Sequence, residues 1–418
     1  MLSEHRITEL DSGLRIVTEV MPSVRSAALG VFIGVGSTAE THEEAGLSHL
    51  IEHMLFRGTP RFESLEIDQI FDAMGAELNA GTGKESTSVY TRVLDNHLER
   101  AFDVIADMVW RPKFADEDLS AEREIVLEEI AMYEDDPQDK VFDVLGTAVF
   151  GDHPLGRAII GRADVVAGTP AAGLAAFHGK RYVPGNVVVA AAGSVDHDAL
   201  VAMVRDSSPA ASPKIPHVAT PVQLEARTQF LKKETEQYHV CLGAPGLARG
   251  DERRFALRIL DNVLGGTSSS RLFVEIREKR GLAYAVYSFA AQYADTGQVG
   301  LYVGTRPDNV KTAMDVVRVE LEKLRQDGIA ADELERSKDN VKGRILLSLE
   351  STVARMNRLG SSLLSDMPLL SVDELEEKID AVTLDDVLGL ARELYAPERM
   401  SIVGIGTDES VFDKALAA

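Results

Sequence analysis

A proline- and serine-rich segment, residues 207–221, constrains how this chain of 418 residues can fold. It contains four prolines and three serines. Proline removes backbone donors and fixes φ, which makes the segment a poor helix or central strand. Since the chain is also longer than one hydrophobic core usually organises, we expect two domains, residues 1–206 and 222–418, joined by this linker.

Hydrophobic periodicity predicts an α+β fold in each half, with an antiparallel-rich sheet and helices packed on one of its faces. The predicted strands are 14–19, 26–35, 76–82, 85–93, 186–193, 227–233, 237–243, 283–292, 296–304 and 399–405. The predicted helices are 43–57, 64–74, 95–110, 116–134, 137–149, 250–264, 307–326, 332–366 and 384–394.

The two halves show a weak internal repeat. In each, a short apolar run is followed by an amphipathic stretch that ends in Gly-Thr, and Thr59 and Thr267 are 208 positions apart. At that offset, the second half carries Leu257, Leu260 and Asp261 where the first half carries His49, Glu52 and His53. We therefore expect the second half to keep the scaffold and to lack the two histidines and the glutamate.

Residues 49–53 read His-Leu-Ile-Glu-His. If 43–57 is helical, His49 and His53 lie on one face with Cβ atoms about 6 Å apart, so both rings can reach one tetrahedral Zn²⁺. Glu52 lies beside that face and can act as a general base toward a water molecule. The order His-x-x-Glu-His is the reverse of the more common His-Glu-x-x-His and is the inverzincin pattern.

A catalytic zinc site needs a third protein ligand. Glu122 and Glu129 are seven residues apart in a predicted helix, so they share a face with Val126 between them. We take Glu129 as the ligand and Glu122 as a carboxylate that orients a ligand, although the sequence also permits the reverse assignment.

Composition limits the partners and the location. The net charge of −23 disfavours nucleic acid and anionic membranes as partners. Cys241 is the only cysteine, so it forms no intramolecular disulfide, and zinc must be held by histidines and carboxylates. The N-terminus has no signal-like pattern and no apolar run reaches about 18 residues, so we expect a cytoplasmic protein.

With these residues the chain resembles the M16 metallopeptidases, the family of mitochondrial processing peptidase, pitrilysin and insulin-degrading enzyme, and is most similar to its short bacterial members. The matching stretch is 46–59, and the 76-residue gap from His53 to Glu129 suits the third ligand of the family. The resemblance covers essentially the whole chain. It implies one Zn²⁺ per chain, held by His49, His53 and Glu129, with Glu122 as the second glutamate of a pair.

The resemblance also implies substrate-binding residues. Residues 79–82 with their flanks resemble the strand in which Asn79 and Ala80 would hold an extended peptide by β-augmentation, although the local pattern equally fits an ordinary hairpin. Asp139 and Asp143, one helical turn apart, fall where the processing peptidases bind an arginine of the substrate. A solvated acidic helix start is the simpler interpretation of that pair.

In the second half, the glycine-rich segment 265–273 also resembles the family, and Arg277 and Tyr284 match its Arg/Tyr pair. Such donors bind substrate backbone or stabilise an oxyanion. The family builds its chamber from four such domains, whereas this chain has two. A homodimer would then supply Arg277 and Tyr284 in trans, and a heterodimer with an inactive paralogue is the alternative.

The sequence thus predicts a zinc endopeptidase that cleaves peptides or unfolded polypeptide segments within a chamber. Two rivals remain: a non-catalytic scaffold subunit on the same fold, and a metal-dependent hydrolase acting on a non-peptide substrate. Motifs for serine hydrolases, P-loop NTPases and dinucleotide enzymes are absent from the sequence.

Overall fold

The computed structural model describes residues 5–222 and 225–417 and divides the chain into two compact units. The first unit comprises residues up to Ile130, Ala158–Val218 and Leu346–Ser371. The second comprises Ala131–Arg157, Ala219–Ile345 and the residues from Val372 onward. Each unit therefore includes a piece of the other half of the sequence. The segment 208–222 has neither helix nor strand.

Eleven strands and fifteen α-helices occur in the described residues. The strands are β1 (His5–Glu9), β2 (Arg15–Val20), β3 (Ser26–Ile33), β4 (Leu78–Thr82), β5 (Thr87–Leu94), β6 (Val187–Gly193), β7 (Thr228–Lys232), β8 (Tyr238–Gly246), β9 (Ala283–Gln292), β10 (Gly297–Thr305) and β11 (Ser401–Gly406).

The helices are α1 (Leu47–Leu55), α2 (Ser64–Met74), α3 (Leu98–Trp110), α4 (Asp116–Asp135), α5 (Pro137–Phe150), α6 (Ala163–Gly168), α7 (Ala171–Arg181), α8 (His197–Ser207), α9 (Arg254–Leu264), α10 (Val310–Asp327), α11 (Ala331–Ser348), α12 (Thr352–Leu364), α13 (Val372–Asp380), α14 (Leu384–Leu394) and α15 (Glu409–Leu416). A π-helical turn spans Phe273–Glu278.

The first unit contains a six-stranded sheet in the order β1-β2-β6-β3-β5-β4. Only β2 and β6 are parallel; the other neighbours are antiparallel. Apolar side chains on one face of the sheet form a core with helices α1 to α4 and α6 to α8. Strand β4 is an edge strand, and α1 packs beside it.

The second unit repeats this arrangement with five strands in the order β7-β11-β8-β10-β9. Again one pair, β7 and β11, is parallel, and the other neighbours are antiparallel. The two sheets therefore share a topology, with β4 and β9 at equivalent edges. Helix α9 follows β8 as α1 follows β3, which agrees with the internal repeat expected from the sequence.

The expectation that helices cover one face of each sheet needs a correction. Helix α12, from the second half of the sequence, covers the other face of the first sheet through Met356 and Leu359. Helix α5, from the first half, covers β8 and β11 in the second unit through Val141 and Leu145. Both faces of each sheet are apolar, so each needs a cover on both sides.

The predicted helix 332–366 is wrong as one element. The structure divides it into α11 and α12, and Ser351 begins the second helix by accepting a hydrogen bond from the Ala354 N–H at 3.4 Å. The prediction also missed β1, α6, α7, α8, α13, α15 and the π-helical turn. The described helices include none that combines the length and apolar character needed to cross a bilayer.

Candidate metal centre

Helix α1 carries the His-x-x-Glu-His sequence and is fixed by its apolar face. Leu50, Ile51, Met54 and Leu55 are fully buried in the core of the first unit. Because an α-helix turns once in 3.6 residues, this anchoring leaves His49, Glu52 and His53 on the opposite, partly open face.

The N-terminus of α1 is held by a buried carboxylate. Glu40 accepts hydrogen bonds from the backbone N–H of Gly46 at 2.8 Å and from that of Ser48 at 2.7 Å. A carboxylate there satisfies unpaired donors and complements the helix dipole. Gly46 has φ +104°, and a Cβ at this position would approach the Ile160 carbonyl oxygen to 2.9 Å, so the close approach requires glycine.

Three donor atoms converge at the open face of α1. His49 and His53 present their Nε2 atoms to Oε2 of Glu129 on α4, at 3.8 and 3.5 Å. The ligand atoms of these three residues all lie within 4.8 Å of one another. Donors around a tetrahedral zinc with bonds of 2.0–2.1 Å lie about 3.3 Å apart, so a small side-chain adjustment would seat the ion.

The second nitrogen of His53 is already engaged. Its Nδ1 donates to Oε2 of Glu122 at 2.9 Å, which leaves Nε2 as the free lone pair. The other oxygen of Glu122 pairs with the Arg57 guanidinium. Glu122 is buried, and the guanidinium gives its carboxylate an oppositely charged partner beneath the histidine.

The charge state of His49 also suits a metal ligand. Burial, aided by the neighbouring His53, lowers the pKa of His49 to about 4. At neutral pH its imidazole is therefore uncharged and has a lone pair to offer. These residues fit a zinc ion: two imidazole nitrogens and a carboxylate, with a supporting carboxylate behind one ring.

Glu52 lies on α1 between the two histidines. One of its oxygens, Oε2, accepts a hydrogen bond from the Thr82 hydroxyl at 2.5 Å. Burial raises the pKa of Glu52 despite that hydrogen bond. A carboxylate with a raised pKa transfers protons more readily near neutral pH.

The strand that carries Thr82 also carries the predicted peptide-holding residues. Asn79 and Ala80 lie on β4, opposite Tyr90 and Val89 of β5. Among the described strands, β4 pairs with β5 alone, so its outer edge has backbone groups available for another strand.

Four further predicted residues belong to the second unit. The Arg277 guanidinium lies 4.3 Å from the centre of the Tyr284 ring and donates to the Tyr284 carbonyl at 3.0 Å. The Tyr284 side chain is largely exposed, and the π-helical turn that carries Arg277 is a feature frequent at functional sites. Asp139 and Asp143 lie on α5, where Asp139 is exposed and Asp143 is half-buried. The structure thus brings Arg277 and Tyr284 together.

Sequence reasoning assigned no role to Arg57, Thr82 or Glu40. Arg57 lies one turn after His53, and its charge complements Glu122, so that pairing could have been inferred once Glu122 was considered buried. Glu40 and Thr82 reach the site from segments outside α1 and α4, and no local periodicity connects them to it.

Comparison with known proteins identifies the family. Residues 15–163 match the family model described as insulinase, peptidase family M16, and residues 171–341 match the model described as the peptidase M16 inactive domain. An uncharacterized zinc protease of Streptomyces coelicolor is 44% identical over 409 residues, covering 96% of this chain and 89% of that protein. The chain belongs to peptidase family M16.

A second relative and two solved structures are also similar to this chain. The uncharacterized zinc protease YmxG of Bacillus subtilis is 42% identical over 391 residues, covering 93% of this chain and 95% of that protein. A crystal structure of a protease from Helicobacter pylori has a TM-score of 0.90 at 23% identity and covers 97% of this chain and 100% of that one. A peptidase M16 inactive domain from Pseudomonas fluorescens has a TM-score of 0.89 at 24% identity, covering 97% of this chain and 98% of that one. The likeness to the two solved structures concerns the fold.

The two family models divide the chain as the candidate ligands do. His49, His53 and Glu129 all fall within the first matched range. The second range, matched by the inactive-domain model, contains α9, which carries Leu257 and Asp261 at the positions expected to correspond to the histidines.

Proposed function

We propose that this M16 protein is a zinc-dependent endopeptidase that cleaves peptides or extended polypeptide segments. The observation that carries the proposal is the convergence of His49, His53 and Glu129. Glu52 lies on α1 together with the two histidines. The names of the M16 relatives, which are zinc proteases, support the choice of metal and reaction.

A bound Zn²⁺ supplies Lewis acidity, which lowers the pKa of water and polarises a carbonyl group. Within the chain, Glu52 takes the proton of the attacking water and passes it to the leaving amine. Glu122 keeps the His53 ring oriented and its Nε2 atom available. Arg57 in turn pairs with the Glu122 carboxylate and holds it in place.

The free edge of β4 supports a peptide as the substrate class. An extended peptide that adds to this edge would run past Asn79 and Ala80 and reach the strand end at Thr82, which contacts Glu52. A small non-peptide substrate would have no use for an unpaired strand edge at this place.

Arg277 and Tyr284 are proposed as donors to the substrate backbone or to the oxyanion. Their pairing supports a joint role, since the cation–π contact holds the guanidinium while the Tyr284 ring stays exposed. We propose that a second copy of the chain supplies them, which makes the working enzyme a homodimer. Dependence on a different, inactive subunit is the alternative outcome.

The test of function compares the zinc-loaded protein with its Glu52→Gln variant on a quenched peptide library. We expect wild-type cleavage that a chelator abolishes and zinc restores, and at least a hundredfold loss in the variant at unchanged zinc content, about the size of a general-base contribution. Elemental analysis gives the metal content of both proteins. A variant that retains full activity with zinc bound would contradict the mechanism, and a zinc-loaded wild type without activity would favour the scaffold role.

A further inference from the structure

We propose that Thr82 is a positioning residue that fixes the carboxylate of Glu52 for proton transfer. The proposal rests on the proposed function, in which Glu52 is the general base. Thr82 lies on the edge strand β4 and belongs neither to the His-x-x-Glu-His motif of α1 nor to the candidate metal ligands.

The contact between the two residues joins distant parts of the first unit. Thr82 is the last residue of β4, Glu52 lies on α1, and their side-chain oxygens are 2.5 Å apart. A hydroxyl that donates to a carboxylate makes a short, charge-assisted hydrogen bond of this length. Because a glutamate side chain has several rotatable bonds, such a bond substantially restricts where the carboxylate can point.

A second threonine hydroxyl lies near Thr82 but does not take its proton from Glu52. Thr87 on β5 lies 3.3 Å from Thr82, measured between their Oγ1 atoms, and is fully buried. Its own proton goes to the Val35 carbonyl at 2.9 Å. A threonine hydroxyl has a single proton and an ionised carboxylate has none, so the Thr82 proton goes to Glu52 at 2.5 Å, and the longer contact between the two hydroxyls is left without a proton.

This arrangement connects the base to the proposed substrate strand. Thr82 lies at the end of the strand that carries Asn79 and Ala80 and is two residues beyond Ala80. A peptide that pairs with β4 would therefore be held by the same backbone that fixes Glu52. The same strand would then position both the Glu52 carboxylate and the scissile bond. An error of about 1 Å in such a placement can cost about a hundredfold in rate.

Thr82→Val removes the hydroxyl and keeps the shape of the side chain, whereas Thr82→Ser keeps the hydroxyl. Thr91→Val is a matched control in the same hairpin, because the buried Thr91 donates to the Glu77 carbonyl and has no hydrogen bond to Glu52 among the described residues. We expect Thr82→Val to lower kcat by about 10- to 100-fold with little change in KM or zinc content. The kcat of Thr82→Ser and of Thr91→Val should remain within about threefold of the wild-type value, which corresponds to only a small change in the activation barrier.

A second measurement does not depend on activity. In the metal-free protein, urea unfolding of Thr82→Val, Glu52→Ala and the double variant forms a thermodynamic cycle. We expect the threonine substitution to destabilise the wild type clearly more than it destabilises Glu52→Ala. An additive cycle would show that the two side chains do not interact and would overturn the proposal.

The outcomes separate this proposal from the proposed function. If Glu52→Gln is inactive while Thr82→Val keeps its kcat, the positioning role is wrong and the peptidase assignment stands. Loss of zinc from Thr82→Val would also overturn it, because the residue would then support the metal and not the base. If the zinc-loaded wild type cleaves no peptide, the function fails, and a coupled cycle would still report the contact between Thr82 and Glu52.

Discussion

The Nδ1 atom of His53 lies 2.9 Å from Oε2 of Glu122, so a buried carboxylate fixes the orientation of this ring before any metal binds. The same carboxylate pairs with Arg57, so His53 is connected through Glu122 to the Arg57 guanidinium. Partners of this kind tune affinity for a metal because they set both the tautomer and the basicity of the ligand.

Substitution of Glu122 tests this arrangement. Glu122→Gln keeps the shape but places an NH₂ group against either His53 or Arg57. We expect zinc affinity to fall by about 10- to 100-fold, measured by competition with a chelator of known affinity. The control is Glu128→Gln, an exposed residue on the same helix. Equal affinity in both variants would show that Glu122 does not support the site.

Glu40 is expected to stabilise the helix that carries the site. Glu40→Gln removes one of the two acceptors at the N-terminus of α1 and places a buried NH₂ group there. We expect a loss of about 1–3 kcal/mol in the free energy of unfolding. Urea denaturation of the metal-free protein measures this loss, and the exposed Glu128→Gln should change stability by less than about 0.5 kcal/mol. A cost no larger than that of the control would disprove the capping role.

Acid is expected to destabilise the metal-free protein partly through His178. Its Nε2–H donates to the Val109 carbonyl at 2.8 Å, and burial lowers the pKa of His178. The unfolded chain therefore binds a proton near pH 6.5 that the folded chain takes up only at lower pH, so stability is lost as pH falls below about 6.5.

The measurement compares unfolding free energies at pH 7 and pH 5 in the presence of a chelator. We expect His178→Gln to show a smaller loss between these pH values than the wild type, whatever its absolute stability. His5→Gln, at an exposed position, should keep the wild-type dependence. An unchanged slope in His178→Gln would mean that this ring does not contribute.

A mixing experiment tests the origin of the Arg277 donor. Glu52→Gln and Arg277→Ala are each expected to be nearly inactive alone. If Arg277 acts in trans, a mixed dimer contains one site with an intact Glu52 and an intact Arg277 from the other copy, so mixing should restore activity. If native mass spectrometry demonstrates mixed dimers and activity does not recover, Arg277 does not act in trans on the Glu52 of another copy.

Local periodicity predicted much of the fold because strands and amphipathic helices leave patterns in adjacent residues. Strand β9 has the predicted bounds, and α1 lies within the predicted helix. The stretch 332–366 shows where such patterns stop. Its periodicity is continuous, but α12 covers the sheet of the first unit while most of α11 belongs to the second. A change of packing partner leaves little local trace beyond Ser351 at the break.

The same distinction applies to the site. His49, Glu52 and His53 share one helix, so their spacing in the sequence is enough to predict that they lie close together. Thr82 and Glu40 reach the site only after the sheet and its loops are formed. Their roles depend on tertiary proximity, which composition and spacing do not report.

The exchanged helices α5 and α12 also bear on how the protein is made. During synthesis, the sheet beside the candidate zinc site is complete in strands once residue 193 has emerged, yet one apolar face stays bare until residues 352–364 follow. A ribosome must therefore add more than 150 further residues before that face is covered. A gene fragment that ends at the linker would yield a sheet with one exposed apolar face, which promotes aggregation. Exchange of the two halves between genes as separate modules is therefore disfavoured.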